Sequence, residues 1–144
     1  MSNKLTAEVT ALIRATPQEV WNALTQPELI RQYFFGTEAI SDWKVGSTLH
    51  FKGEWEGKPY LDKGFILASE PNQLFRYSYW SAFSGLPDVP ENYAEITYEL
   101  SPKENGTELR VIQNGIPDEA RKKHSEENWR VVIEGLRKIV QKEQ

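Results

Sequence analysis

Alternating apolar and polar positions divide most of the chain into strands. Residues 5–14 alternate with a period of about two, and the pattern returns in later segments, namely 47–55, 63–69, 73–80, 93–100 and 106–114. Such alternation is typical of strands that bury one face. Short turns separate the segments, at 56–59, at 71–72 and, with a strong hairpin signal, at Asn105-Gly106. The sequence therefore predicts an antiparallel meander, in a sheet of about six to seven strands.

Two short helices are predicted directly after the first strand. Thr16 can cap the first helix, Pro17 suits its first position, and Glu19 completes a capping box. This helix should end near Thr25. Pro27 then repeats the start signal, which indicates a second short helix at a sharp angle to the first.

The C-terminal segment carries the clearest helical pattern. From Ser125 to about Lys142, apolar residues recur every three or four positions, at Trp129, Val132, Ile133, Leu136, Ile139 and Val140. Because this stripe is too apolar to face water, we expect the helix to pack against the sheet. The whole chain, 1–144, is predicted to form one α+β domain.

Composition narrows the classes of function. The 17 basic and 21 acidic residues give a net charge of −4, which argues against nucleic acid or an anionic membrane as partner. Cysteine is absent, so disulfides and thiol chemistry are excluded. We expect no metal and no cofactor, since two histidines are too few for a metal site built from histidines alone. The first ten residues carry no apolar run, and we expect a cytoplasmic protein.

Aromatic residues are unusually frequent, at 12% of the chain. Aromatic side chains often line ligand pockets, although a solid core of bulky residues uses them equally well. The segment 81–92 is a long loop that nevertheless carries Phe83 and Leu86. These two residues either form a lid over a cavity or simply pin the loop to the domain.

Particular segments have counterparts in a known superfamily. Residues 15–25 (ATPQEVWNALT) and 27–34 (PELIRQYF) are similar to its first two helices, and 43–47 (WKVGS) to its usual turn into a strand. Trp129 corresponds to a recurring Gly-Trp, with Asn128 in place of the glycine. Together they resemble the SRPBCC (START-like, Bet v 1-like) superfamily, in the branch related to the activator of Hsp90 ATPase (AHSA1-like). The resemblance covers nearly the whole chain.

The resemblance implies a helix-grip fold, in which a curved antiparallel sheet wraps around the long C-terminal helix and encloses a cavity. Strand aromatics are expected to face inward, with Phe34, Phe35 and Trp43 near an entrance. The predicted ligand-binding residues are Phe34, Trp43, Phe51, Trp55, Phe65, Tyr77, Tyr79, Phe83, Trp129 and Ile133.

Members of this superfamily bind apolar molecules, and some act as cyclases or chaperone partners, so the fold leaves several functions open. Our first hypothesis is non-catalytic binding of a small apolar or aromatic ligand. The alternative is a protein-interaction module related to chaperone co-factors, and a cyclase or hydrolase comes third. The sequence shows no additional N-terminal domain of the kind that accompanies the activator, so we do not expect stimulation of a chaperone ATPase. A homodimer stays open.

No catalytic residue is predicted. His50 alternates to the face opposite Phe51, and His124 is expected in solvent before the last helix. The sequence contains no Gly-rich phosphate loop, nucleophile elbow or His-Glu-x-x-His motif. Cyclase chemistry needs little more than shape and a few polar groups, so the missing motifs do not exclude it.

Overall fold

The computed structural model describes residues 5–34, 36–81 and 87–141, with Trp55 described by its backbone alone. The helices and strands are β1 (Leu5–Ile13), α1 (Pro17–Thr25), α2 (Pro27–Tyr33), β2 (Glu38–Ser41), β3 (Thr48–Trp55), β4 (Lys58–Glu70), β5 (Leu74–Tyr79), β6 (Ala94–Lys103), β7 (Gly106–Ile116) and α3 (Glu119–Val140). The seven strands of the described residues form one antiparallel sheet in the order β1-β7-β6-β5-β4-β3-β2. The predicted α+β helix-grip fold is confirmed.

The two short helices begin where the capping residues predict. The Thr16 hydroxyl accepts a hydrogen bond from the Glu19 backbone N–H at 3.1 Å, and the Glu19 carboxylate accepts one from the Thr16 N–H at 2.9 Å. This exchange is the predicted capping box. Pro17 and Pro27 stand in the first turns of α1 and α2, where a missing N–H removes no helical hydrogen bond.

Helix α3 starts at Glu119, earlier than the predicted Ser125. Asp118 caps it, because its carboxylate accepts a hydrogen bond from the Arg121 N–H at 2.8 Å. The first turns of α3 are mainly polar and exposed, so the periodicity of apolar residues does not reveal where the helix begins. The prediction that His124 precedes the helix is therefore wrong, since His124 lies within α3.

Two hairpin turns differ slightly from their predicted positions. Glu56 and Gly57 have positive φ angles of 51° and 80°, which is the geometry that favours a two-residue hairpin turn. The strand β4 consequently starts at Lys58, within the segment predicted as turn. Residues 104–105 join β6 to β7, so the turn lies one residue earlier than Asn105-Gly106, whereas β7 begins at Gly106 as predicted.

Helix α3 covers only part of the concave face of the sheet. It packs mainly on β1 and β7 and against α1 and α2. As the periodicity predicts, its buried stripe includes Trp129, Val132, Ile133 and Leu136. Beneath α1, the Trp21 ring meets the Phe75 ring edge-on, with the centroids 6.0 Å apart. The strands β3 to β5 therefore face a space that α3 does not fill.

Gly64 in β4 is required by a close approach to β5. A Cβ at this position would lie 1.7 Å from the Ser78 carbonyl oxygen. The Ser78 hydroxyl also accepts a hydrogen bond from the Phe65 N–H at 2.9 Å, and the β4–β5 register shifts between Ile66 and Ala68. Any side chain at position 64 would push the two strands apart beside this irregularity.

Gly64→Ala should lower the free energy of unfolding by about 3 kcal/mol, because overpacking forces the backbone to move. Leu67→Ala is the matched control on the same strand, since Leu67 is 40% exposed and its loss should cost less than about 1 kcal/mol. Urea denaturation followed by tryptophan fluorescence measures both variants. Equal stability of the two would contradict the close approach.

Candidate functional site

A cavity of about 810 Å³ lies between the strands β3 to β7 and the helix α3. Protein interiors contain few voids larger than a water molecule, whereas pockets for small molecules measure about 300–1,000 Å³. Its lining side chains come from each of these strands, from α3 and from the segment after α2. A space of this size is too large to be an ordinary packing defect.

Aromatic rings form a continuous wall of this cavity. The Phe51 ring is central, with its centroid 5.8 Å from those of its neighbours Phe34, Tyr77 and Tyr79. Trp129 of α3 adds a further ring, 6.4 Å from Phe34. All five were predicted from the sequence as ligand-binding residues, and the structure brings them together around one space.

Other predicted residues lie elsewhere. The Trp43 ring packs 6.1 Å from Phe75 in the core, and Ile133 is 3% exposed on the buried stripe of α3. Neither lines the cavity, because Trp43 precedes β3 in a turn and Ile133 is further along α3 than the cavity extends. The side chain of Trp55 lies outside the described residues, and so do Phe35, Phe83 and Leu86, so the choice between a lid and a loop anchor stays open.

Phe65 faces away from the cavity. On β4, Asp62, Gly64 and Ile66 are buried, whereas Phe65 is 47% exposed. Because successive strand residues point to opposite faces, an inward Ile66 places Phe65 outward. The predicted inward orientation of Phe65 is therefore wrong.

A group of polar side chains lines the β4 side of the cavity. Asp62 is only 6% exposed, and its Oδ2 accepts a hydrogen bond from the Tyr79 hydroxyl at 2.5 Å. Nearby in the lining, the hydroxyls of Thr37 and Tyr60 are hydrogen-bonded at 2.6 Å. Asp62 pairs in register with Phe51 of β3, so a carboxylate adjoins the central ring of the aromatic wall.

Sequence reasoning missed this polar group. The sequence predicts a turn at 56–59 and a strand only from residue 63, so Asp62 has no assigned face. The sequence does contain one indication of it. Asp62 and the apolar Ile66 are four residues apart, so they point to the same face of a strand, and an acidic residue on the buried face of a strand is unusual. The predicted ligand-binding residues follow the aromatic pattern and include no charged side chain.

Burial keeps the Tyr79 phenol protonated. Desolvation raises the pKa of Tyr79 well above its ordinary value, and the adjacent Asp62 carboxylate raises it further. A phenol that retains its proton donates its hydrogen bond, and the carboxylate accepts it. The Tyr79–Asp62 contact is therefore a fixed donor–acceptor pair within an apolar wall.

A second hydroxyl pair lies under the aromatic wall. The hydroxyls of Tyr77 and Tyr98 are 2.8 Å apart and fully buried. Burial raises the pKa of both phenols above the ordinary range. Since each hydroxyl satisfies the other, Tyr77 can present its ring to the cavity without leaving an unpaired polar atom.

Helix α3 contributes the opposite wall and part of the mouth. Arg121 and Ser125 lie four residues apart on one face of the helix and both line the cavity, as does the exposed His124. Deeper in, the Trp129 indole N–H donates a hydrogen bond to the Gln113 side-chain oxygen of β7 at 2.8 Å. This bond fixes the orientation of the indole ring against the sheet.

The two histidines lie on different sides of the sheet. His50 is half-buried on the face of β3 opposite Phe51, and His124 is at the mouth of the cavity. Within residues 5–34, 36–81 and 87–141, no group of three or more acidic or histidine side chains is placed to hold a metal ion. None of the helices in the same ranges has the length and apolar character needed to cross a membrane.

Comparison with known proteins gives a consistent result. Residues 14–141 match the family described as activator of Hsp90 ATPase homolog 1-like protein. The chain is similar to the solution structure of ChR145 from Cytophaga hutchinsonii, with 44% identity over 99% of this chain and 97% of that chain and a TM-score of 0.86. No curated protein matches it.

Two further solved structures share the fold. The crystal structure of MLL2253 from Mesorhizobium loti is 25% identical over 97% of this chain and 99% of that chain, with a TM-score of 0.80. The solution structure of the Aha1 dimer from Colwellia psychrerythraea is 19% identical over 94% of this chain and 96% of that chain, with a TM-score of 0.74.

The buried tyrosines should make stability fall in alkaline solution. Burial raises the folded-state pKa of Tyr33, Tyr77, Tyr79 and Tyr98, whereas tyrosine in an unfolded chain ionises near about pH 10. Above that pH the unfolded chain binds fewer protons than the native protein, so the free energy of unfolding decreases as pH rises. Below it, the stabilisation is fully present.

Urea unfolding from about pH 8 to about pH 11 measures this loss, and near-ultraviolet absorbance reports phenolate. Tyr98→Phe should make the alkaline decrease shallower, although it also lowers stability at neutral pH by leaving the Tyr77 hydroxyl without its partner. Ionisation of every tyrosine near pH 10 in a still-folded protein would contradict the prediction.

Proposed function

The chain belongs to the activator of Hsp90 ATPase homolog 1-like (AHSA1-like) family, and we propose that it binds a small molecule with an apolar or aromatic body between its sheet and α3. The protein binds this molecule without transforming it. The observation that carries the proposal is the cavity of about 810 Å³ with its wall of aromatic rings.

Ring faces supply most of the expected binding energy. A ligand with a naphthalene-sized body buries roughly 300 Å² of apolar surface, which corresponds to about 7 kcal/mol at 25 cal/mol per Å². Lost translational and rotational freedom removes a large part of this gain. The expected dissociation constant for such a minimal ligand is therefore in the micromolar to millimolar range.

Hydrogen bonds hold the wall in place before any ligand arrives. Trp129 is tied to Gln113 at 2.8 Å, and Tyr79 is tied to Asp62 at 2.5 Å. Side chains that are already ordered lose little further freedom on binding, so more of the contact energy contributes to affinity. The site accordingly resembles a preformed pocket with a few convergent polar groups.

Filling the cavity from α3 tests the proposal. Ser125 is half-buried and lines the cavity, so Ser125→Trp should occupy part of it and weaken binding of naphthylethanol by at least about tenfold. Isothermal titration calorimetry with the purified full chain measures the affinity. The wild-type protein should give saturable binding with a negative heat-capacity change, as burial of apolar surface requires.

Glu127→Trp is the matched control, because Glu127 is exposed on α3 and does not line the cavity. It should leave the affinity unchanged. Equal affinity of the Ser125→Trp and Glu127→Trp variants, or no saturable binding of naphthylethanol to the wild-type protein, would count against a ligand-binding cavity.

Contact with a second copy of the chain is the other candidate function. Apolar side chains on the outer face of β2 and β4 are unusually exposed, namely Ile40 at 44%, Leu61 at 44%, Phe65 at 47% and Leu67 at 40%. Ile40 of β2 pairs with His50 of β3, and His50 pairs with Lys63 of β4. Ile40 and the exposed apolar residues of β4 therefore lie on the same face of the sheet. The similar structure from Colwellia psychrerythraea is a dimer, which supports a second copy of the chain as the partner.

Sedimentation velocity over a range of concentrations tests this second candidate. The wild-type protein should dimerise at high concentration, and Phe65→Ser should shift it to monomer because it removes the most exposed ring of the face. Leu12→Ser is the control, since Leu12 is 42% exposed on β1, at the other end of the strand order. A wild-type protein that stays monomeric throughout would remove this candidate.

A further inference from the structure

We propose that the cavity selects ligands that carry a protonated amine, with the ammonium group held beside Asp62 and the apolar body against the aromatic wall. This inference rests on the proposed ligand-binding function and names the chemical class of its ligand. It therefore separates one class of apolar molecules, the cationic amines, from neutral and acidic molecules of the same shape.

The position of Asp62 is the first observation behind this inference. Its carboxylate lines the cavity and is 6% exposed. Acidic side chains are seldom buried so completely, because an ionised carboxylate loses its hydration when it leaves water. A buried carboxylate beside the aromatic wall of the pocket is thus a specific polar feature, and a ligand bound against that wall meets it directly.

The hydrogen bond between Tyr79 and Asp62 joins a neutral donor to a carboxylate. Tyr79 donates a hydrogen bond to Asp62 at 2.5 Å, but a neutral phenol leaves the negative charge of a carboxylate in place. A carboxylate also accepts several hydrogen bonds at once, so a ligand can share Asp62 with Tyr79. An ammonium group supplies both the opposite charge and up to three N–H donors.

The rings around Asp62 favour the same chemistry. Phe51 is its register partner on β3, and the Phe51 centroid is 5.8 Å from those of Tyr77 and Tyr79. The faces of aromatic rings attract cations, and this attraction strengthens when water is excluded. A ligand ammonium at Asp62 would therefore meet a carboxylate and ring faces together, which is the arrangement that recognises amines.

An acidic ligand would be disfavoured at this end. Its carboxylate would approach Asp62 with the same charge, and the low dielectric of the pocket increases that repulsion. In the part of the chain that the structure describes, Arg121 is the only Lys or Arg side chain lining the cavity. Arg121 is exposed in the first turn of α3, 3.9 Å from Asp118, on the helix wall and not beside β4.

A matched set of ligands tests the inference. Naphthylethylamine, naphthylethanol and naphthylacetic acid share one aromatic body and differ in the charge of the polar group. At neutral pH, the wild-type protein should bind the amine about tenfold or more tightly than the alcohol, since a hydrogen bond to a charged group contributes about 1.5–3 kcal/mol. The acid should bind most weakly. Calorimetry on the full chain measures all three.

Asp62→Asn removes the charge and keeps an oxygen that can accept from Tyr79. It should weaken amine binding by about tenfold and change alcohol binding by less than about threefold. Glu54→Gln is the matched control, because Glu54 is exposed on the outer face of β3 and its loss changes the net charge equally. This control should preserve the preference for the amine.

The outcomes separate the inference from the function on which it rests. If the alcohol binds the wild-type protein as tightly as the amine, the cavity binds ligands but the selection by Asp62 is wrong. If the acid binds best, the inference is overturned in favour of an anion near Arg121. If none of the three binds, the proposed function itself fails. The order of affinities in the wild-type protein decides the matter even where Asp62→Asn does not fold.

Discussion

One helix has to cover a sheet that is much wider than itself. Strands spaced about 4.8 Å apart span about 29 Å across seven, whereas an α-helix with its side chains is about 10 Å wide. Helix α3 lies on β1 and β7, which are neighbours at one end of the strand order. The concave face of β3 to β5 is consequently left partly uncovered, and the cavity is the space that remains. Its aromatic wall and its polar group both depend on this uneven coverage.

Three hydrogen-bonded pairs of hydroxyl and carboxylate groups lie in and beneath the cavity wall. Tyr77 is paired with Tyr98, Thr37 with Tyr60, and Tyr79 with Asp62. Each pairing limits the penalty of removing a polar atom from water. The pairs also restrict ring rotation, so the wall has one arrangement instead of several of similar energy. Polar groups thus give the cavity a definite shape, which an entirely aliphatic lining would not.

The elements could be predicted because their patterns are local. The capping box at Thr16 and the apolar stripe from Trp129 to Val140 each depend on a few neighbouring residues, and the structure contains both. The boundaries of α3 and β4 could not be predicted as well, because a polar helix start and a two-residue turn leave little apolar signal.

The aromatic wall of the candidate site could be predicted from the sequence, whereas its polar group could not. Strand aromatics such as Phe51 and Tyr77 share a face by simple alternation, so their grouping follows from the sequence. Phe65 and Asp62 depend on the phase of β4, and a shift of one residue exchanges the inner and outer faces. The sequence prediction groups Phe65 with the inward aromatics and starts the strand after Asp62, so it places Phe65 on the wrong face and leaves Asp62 without one. The phase became clear only from the pairing of β4 with β3 and β5.

The pairing of β1 with β7 has a consequence for biosynthesis. Glu8 and Arg110, which form an ion pair across these strands, are 102 residues apart in sequence. A ribosome adds roughly 5–20 residues per second, so β1 remains without its partner for several seconds after it emerges. During that interval the edge of β1 that pairs with β7 is open to other nascent chains, and its apolar face waits longer still for α3. The last strand and the last helix to be made are therefore the elements that cover the first strand.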